Sequence, residues 1–93
     1  MRRAYIVVTG RVQGVLFRRY VQKVARELGI TGWVKNALDG DVEMVCEGRE
    51  KDITSLISHM RKGPSMAEVK DVQVEYGEYK GEGSDFMIRE FGF

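Results

Sequence analysis

Nine residues near the N-terminus, Gly10-Arg-Val-Gln-Gly-Val-Leu-Phe-Arg18, combine two glycines with a terminal arginine and run straight into an amphipathic pattern that begins at Phe17. The first amides of a helix have no intrahelical acceptor, and the positive end of the helix dipole lies beside them, so such a junction is a natural seat for a phosphate or carboxylate. Gly14 lets a backbone approach an anion closely. Arg18 falls in the first helical turn, where a cation opposes the dipole, and a bound anion would compensate. Its planar guanidinium can donate two parallel hydrogen bonds to phosphate oxygens, which a lysine cannot reproduce. The same residues also admit a plainer reading, in which the glycines serve a tight turn and Arg18 is solvated. The loop lacks the Gly-Lys-Ser/Thr ending of a P-loop and the G-x-G-x-x-G pattern, so neither nucleoside triphosphate hydrolysis nor dinucleotide binding is indicated.

The other chemistry-bearing residues are isolated. Cys46 is the sole cysteine, which excludes an internal disulfide and a thiolate zinc cage and fits a reducing cytosol. With no cationic neighbour in sequence it reads as a small half-buried strand residue, not a nucleophile. His59 is the sole histidine and falls at the boundary of a helical apolar stripe. Asp39, Asp41 and Glu43 alternate like the start of a calcium loop, but the later glycine and bidentate glutamate of an EF-hand are not in place, so no metal is expected. Asn36, ahead of a turn, reads by itself as a turn residue bonding its own backbone. Trp33 reads as core.

These residues must be held by elements that the hydropathy pattern outlines. Ala4 to Thr9 is short, apolar and rich in β-branched residues, a buried strand that Gly10 closes. Phe17, Tyr20, Val21, Val24, Ala25 and Leu28 line one helical face, and Gly29 stands where a left-handed residue ends a helix. Ile30 to Lys35 and Asp41 to Glu47 are strands joined through Asp39-Gly40, a hairpin signal. Ile53, Leu56, Ile57 and Met60 mark a second helix, with Glu50 and Asp52 in its first turn and Gly63-Pro64 as its stop. Val72, Val74 and Tyr76 alternate, and Val69 breaks the parity, which predicts a bulge near Lys70 and Asp71. After the polar loop from Glu78 to Asp85, Phe86 to Phe91 forms a last short strand. The order β-α-β-β-α-β, with right-handed crossovers, predicts an α+β ferredoxin-like sandwich: two helices on one face of an antiparallel or mixed sheet.

A chain of 93 residues has room for one core, so residues 1–93 are expected to form a single domain. Fifteen basic against fourteen acidic side chains leave a net charge of +1, too little to attract nucleic acid or anionic lipid globally, so any anion binding must be local. No apolar run reaches the length of a membrane span, and the stretch after Met1-Arg-Arg3 is too short for a signal peptide, so the expected location is the cytoplasm.

Gly10-Arg-Val-Gln-Gly-Val-Leu-Phe-Arg18, followed by Leu28-Gly-Ile-Thr-Gly-Trp-Val-Lys-Asn36, resembles the acylphosphatase signature. Asp39-Gly40, Val42-Glu43, Glu47-Gly48, Gly63-Pro64 and Phe86-Met-Ile88 also match that family's pattern, so the resemblance covers nearly the whole chain. It implies a hydrolase that cleaves the carboxyl–phosphate bond of acyl phosphates without metal or other cofactor. In that scheme the backbone amides of Gln13, Gly14, Val15, Leu16, Phe17 and Arg18 cradle the phosphate, Arg18 is the phosphate-binding arginine, and Asn36 orients the attacking water. Leu16 occupies the family's variable position, and the residues after Ile88 extend past its usual ending. The partners so implied are a small acyl phosphate, with inorganic phosphate or sulfate as competing anions, and neither nucleic acid nor membrane; the chain is expected to be a monomer.

Three other readings share this element order. An RNA recognition motif should carry stacking aromatics on its third strand, whereas Asp41-Val-Glu-Met-Val-Cys-Glu47 has none and holds three acids. A regulatory module would bind phosphate or sulfate without turnover. The same domain also opens larger hydrogenase-maturation proteins that handle carbamoyl phosphate, but this sequence lacks their zinc-finger cysteines.

Overall fold

The computed structural model describes residues 1–90. The elements run β1 (Arg2–Arg11), α1 (Phe17–Glu27), β2 (Thr31–Asn36), β3 (Val42–Gly48), α2 (Glu50–Lys62), β4 (Glu68–Gly77) and β5 (Phe86–Arg89). They form one sheet in the order β4-β1-β3-β2-β5. Its pairings are antiparallel except β2 with β5, which are parallel. Period-two alternation sends Ala4, Ile6 and Val8 of β1, Val34 of β2 and Val42, Met44 and Cys46 of β3 into one core. That core also receives Phe17, Val21, Val24 and Ala25 of α1 and Ile53, Leu56 and Met60 of α2, so both helices cover the same face. This is the ferredoxin-like α+β sandwich that the element order predicts.

The helix ends follow local chemistry. At the end of α1, Gly29 takes a φ of 73°, the Gly29 amide donates to the Arg26 carbonyl at 3.1 Å and the Ile30 amide to the Ala25 carbonyl at 2.9 Å. That pair of bonds is a Schellman motif, closed by the buried Ile30 side chain. Gly63, with φ 66°, ends α2. No helix among the described residues is long and apolar enough to cross a membrane.

Two sequence expectations change. Gly10 does not close β1, which continues to Arg11. The β1–β4 register steps from Thr9↔Asp71 to Gly10↔Val69, leaving Lys70 as the extra residue of the bulge that the parity of Val69 predicts. Gly10, at φ 128°, lies so close to β4 that a Cβ there would sit 2.1 Å from the Glu68 carbonyl oxygen. Trp33 is not core, because Val34 takes the core position and alternation puts Trp33 on the open face, 5.0 Å from the Arg89 guanidinium and 5.5 Å from the Lys35 ammonium. The last strand begins at Phe86 as expected and is described as far as Arg89; its expected continuation to Phe91 lies outside the described residues.

Opposite the helices, Glu47 is 3% exposed and works as a peg. Its carboxylate accepts the Lys80 amide at 2.7 Å, the Gly81 amide at 3.0 Å and Arg3 Nη1 at 3.1 Å, which fastens the loop after β4 onto the sheet. Burial pushes its pKa up, but the Lys80 amide, the Arg3 guanidinium and the Gly81 amide together outweigh that and hold it below the usual glutamate value.

Candidate active site

The loop between β1 and α1 is anchored at both ends by side chains that enter the core, Val12 and Phe17, each 1% exposed. Between them the backbone turns twice through the left-handed region, at Gly14 (φ 72°) and at Leu16 (φ 63°). A leucine in that conformation carries about 1 to 3 kcal/mol of strain, and Leu16 does so with its side chain 70% exposed, so burial does not account for it. The result concerns the backbone: none of the amides from Gln13 through Arg18 donates to an acceptor among the described residues, and the first amide of the helical ladder that does is Tyr20, to the Leu16 carbonyl at 3.1 Å. A run of free N–H groups at the positive end of α1 is chemically suited to an anion.

Asn36 is the last residue of β2, paired with Val42 across the hairpin, and not a turn residue. It shares the parity of Val34, so it lies on the helix side of the sheet, one pleat beyond the core and at the mouth of the β1–α1 loop. Its Oδ1 is buried and has no hydrogen-bond partner among the described residues. A buried acceptor left unpaired costs about 1 to 3 kcal/mol, so this oxygen is free to accept a hydrogen bond from a donor that enters the site.

A pocket of about 200 Å³ joins these features, lined by Val12, Gly14, Leu16, Phe17, Arg18, Arg19 and Asn36. Residues from the two segments that the sequence singles out therefore meet in one place. No carboxylate or imidazole among the described residues lines it, and two arginines do. Of the loop residues, Gln13 and Val15 do not line the pocket: Val15 packs against the core, and the Gln13 side chain turns to the β2–β3 hairpin. Arg19 is absent from the sequence reading; its place next to Arg18 at the first turn is the signal that would have found it. A larger pocket of about 360 Å³ lies among Arg3, Trp33, Glu47, Asp85 and Arg89 on and beside the open face, and neither Asn36 nor any residue of the β1–α1 loop lines it. Two of its carboxylates are already engaged, Glu47 by Arg3 and two loop amides, and Asp85 by Arg26 and the Phe86 amide, which hold the Asp85 pKa below the usual range.

The remaining candidates are structural. Cys46 is wholly buried, more than its expected half-burial, and burial pushes its thiol up to about 12, so it is no nucleophile at neutral pH. His59 is exposed on α2, where Nδ1 lies 2.9 Å from the Ser55 carbonyl oxygen. Asp39 Oδ1 accepts the Asp41 amide at 3.0 Å, a hairpin turn bond.

The family model described as Acylphosphatase matches residues 4–88. This chain belongs to the acylphosphatase family. An acylphosphatase from Geotalea uraniireducens (strain Rf4) is 49% identical over 86 residues, covering 92% of this chain and 94% of that protein. The crystal structure of acylphosphatase from Bacillus subtilis superposes with a TM-score of 0.92 at 37% identity, covering 96% of this chain and 99% of that one. The crystal structure of T. kodakarensis HypF gives a TM-score of 0.85 at 34% identity, covering 97% of this chain and 12% of that one. This chain is thus an enzyme of the acylphosphatase type, acting on acyl phosphates.

Proposed function

We propose that the chain is a single acylphosphatase domain that hydrolyses acyl phosphates without a metal, with the phosphate held by the backbone amides of Gln13, Gly14, Val15, Leu16, Phe17 and Arg18 and by the Arg18 guanidinium. The observation that carries this reading is the pocket in which Arg18 and Asn36, with its unpartnered Oδ1, meet Gly14, Leu16 and Phe17, loop residues whose amides are free among the described residues. Water donates one hydrogen bond to Asn36 Oδ1 and is thereby held in line with the phosphorus. As its oxygen bonds to phosphorus, the bond from phosphorus to the acyl oxygen breaks, and the carboxylate departs with the electron pair. The proton of the water passes to a phosphate oxygen of the substrate, so no protein base is needed. The products are a carboxylate and inorganic phosphate.

So few groups suffice because an acyl phosphate is a mixed anhydride with a good leaving group. Charge in the transition state stays on the peripheral oxygens, where preorganised N–H donors act on it directly. The amides need no reorganisation, since the turns at Gly14 and Leu16 hold them in place before anything binds. Inorganic phosphate or sulfate would compete for the same seat. We further read the protein as a monomer of the cytoplasm, a location supported by its lone free thiol.

The test is hydrolysis of benzoyl phosphate by the purified chain in excess chelator, with inorganic phosphate as inhibitor. Metal-independent turnover with competitive inhibition is the expected result. Phosphate binding without turnover would mean an anion-binding module, and activity abolished by the chelator would refute metal independence.

A further inference from the structure

The Gln13 side chain crosses from the anion loop to the hairpin that carries Asn36. Its Nε2 donates to the Ala37 carbonyl at 2.7 Å and to the Asp41 carbonyl at 2.8 Å, and the contact is partly buried. These carbonyls stand at the two rims of one turn. The Ala37 amide donates to the same Asp41 oxygen at 2.8 Å, and the Gly40 amide reaches the Ala37 oxygen at 3.3 Å. A primary amide presents two N–H groups from one nitrogen and is neutral, so Gln13 spans both rims without placing a charge there. Ala37 follows Asn36 directly in the chain, so the clamp lies one peptide unit from the Asn36 backbone.

We propose that the Gln13 carboxamide is a positioning residue for the hydrolytic reaction: by bridging the Ala37 and Asp41 carbonyls it sets Asn36, and hence the attacking water, relative to the phosphate seat. This rests on the reading that Asn36 orients the water. Gln13 directly precedes Gly14, which lines the pocket, and its side chain grips the opposite wall. The two halves of the site therefore move as one body. Displacing a reacting group by about 1 Å can cost about 10²-fold in rate. Release of the hairpin thus acts on turnover and leaves the amides, and with them phosphate affinity, in place.

The experiment compares wild type with Gln13→Met, which keeps the volume and removes both donors. With benzoyl phosphate, kcat is expected to fall about tenfold to a hundredfold, with KM and the inhibition constant for inorganic phosphate nearly unchanged. Unchanged kcat in a folded variant overturns the proposal. So does a parallel loss of phosphate affinity, since the side chain would then be supporting the seat and not the water. A measurement on the wild-type chain needs no variant: by NMR both Gln13 side-chain N–H protons should exchange slowly and couple across hydrogen bonds to the carbonyl carbons of Ala37 and Asp41. Freely exchanging protons overturn the clamp. If the wild type itself fails to turn over, the catalytic reading falls and takes the positioning role with it, while the NMR result still reports whether the bridge exists.

Discussion

Arg18 Nη1 donates to the backbone carbonyl of Arg89 at 3.4 Å, and the Glu90 carboxylate stands 3.9 Å from the same nitrogen. Both contacts are long, and the Glu90 side chain is 82% exposed, so together they orient the guanidinium at the end of β5 more than they neutralise it. A guanidinium has five N–H donors, and most of those on Arg18 stay available to the pocket. A lysine in its place would keep the charge but lose the planar fork. Arg18→Lys is expected to lower kcat by about 10² to 10³-fold and to abolish most of the inhibition by inorganic phosphate. Steady-state assays with benzoyl phosphate across a phosphate series check both; retained inhibition would remove Arg18 from the seat.

Asn36→Ala separates function from stability. The substitution removes the acceptor proposed to hold the water, and kcat should fall about 10² to 10³-fold while the phosphate inhibition constant stays near its wild-type value. It also removes a buried oxygen that has no partner among the described residues. No bond among the described residues is lost with that oxygen, so the folded state should keep its stability to within about 1 kcal/mol, a Tm change of no more than about 4 to 8 °C in a domain of this size. Calorimetry beside the assay reads both effects. A variant that loses activity and stability together would show that Asn36 is held by structural bonds and not poised for water.

Features whose signals are local in sequence were legible before the fold was known. Gly29 one step past an apolar stripe announces the Schellman turn, Asp39-Gly40 announces the hairpin, and the wrong parity of Val69 announces the bulge at Lys70. The turn of the loop from Gly10 to Arg18 was legible because glycines betray where backbone must turn. What was hidden depends on partners far along the chain. The Gln13 clamp joins residues 24 and 28 positions apart. Trp33 and Val34 are both apolar, so alternation alone could not say which of them faces the helices. The left-handed Leu16 has no sequence signal at all, because leucine is not a residue that favours that conformation.

Glu47 makes part of the stability pH-dependent. Its folded pKa lies below the ordinary value, so the stabilisation it brings is present above about pH 4.3, the unfolded glutamate range, and is lost as pH falls through the lower folded value. Glu47→Gln should be less stable than wild type at pH 7, because the Arg3 guanidinium and the Lys80 and Gly81 amides then face a neutral amide. The gap should narrow on acidification below about pH 4.3. Urea midpoints measured from pH 7 down to the acid transition test this; a gap that is constant with pH would mean that shape, and not charge, holds the loop.

Gly10 and Gly14 lie in one motif, yet the structure demands them for different reasons. At Gly10 a Cβ would meet the Glu68 carbonyl oxygen at 2.1 Å and the Lys70 nitrogen at 2.8 Å, both backbone atoms of β4 that cannot rotate away. At Gly14 nothing lies within 4 Å of the added atom, and only the φ of 72° opposes it. Gly10→Ala must therefore open the bulge between β1 and β4, and it should lower stability by about 3 kcal/mol or more. Gly14→Ala carries the left-handed cost alone, about 1 kcal/mol, but it narrows the pocket that Gly14 lines, so phosphate affinity should suffer more than the fold. Urea unfolding and phosphate inhibition of the two variants, measured side by side, should cross over: the larger stability loss at position 10, and the larger loss of affinity per unit of stability at position 14. Equal ratios at both positions would mean that the second glycine, like the first, serves only the fold.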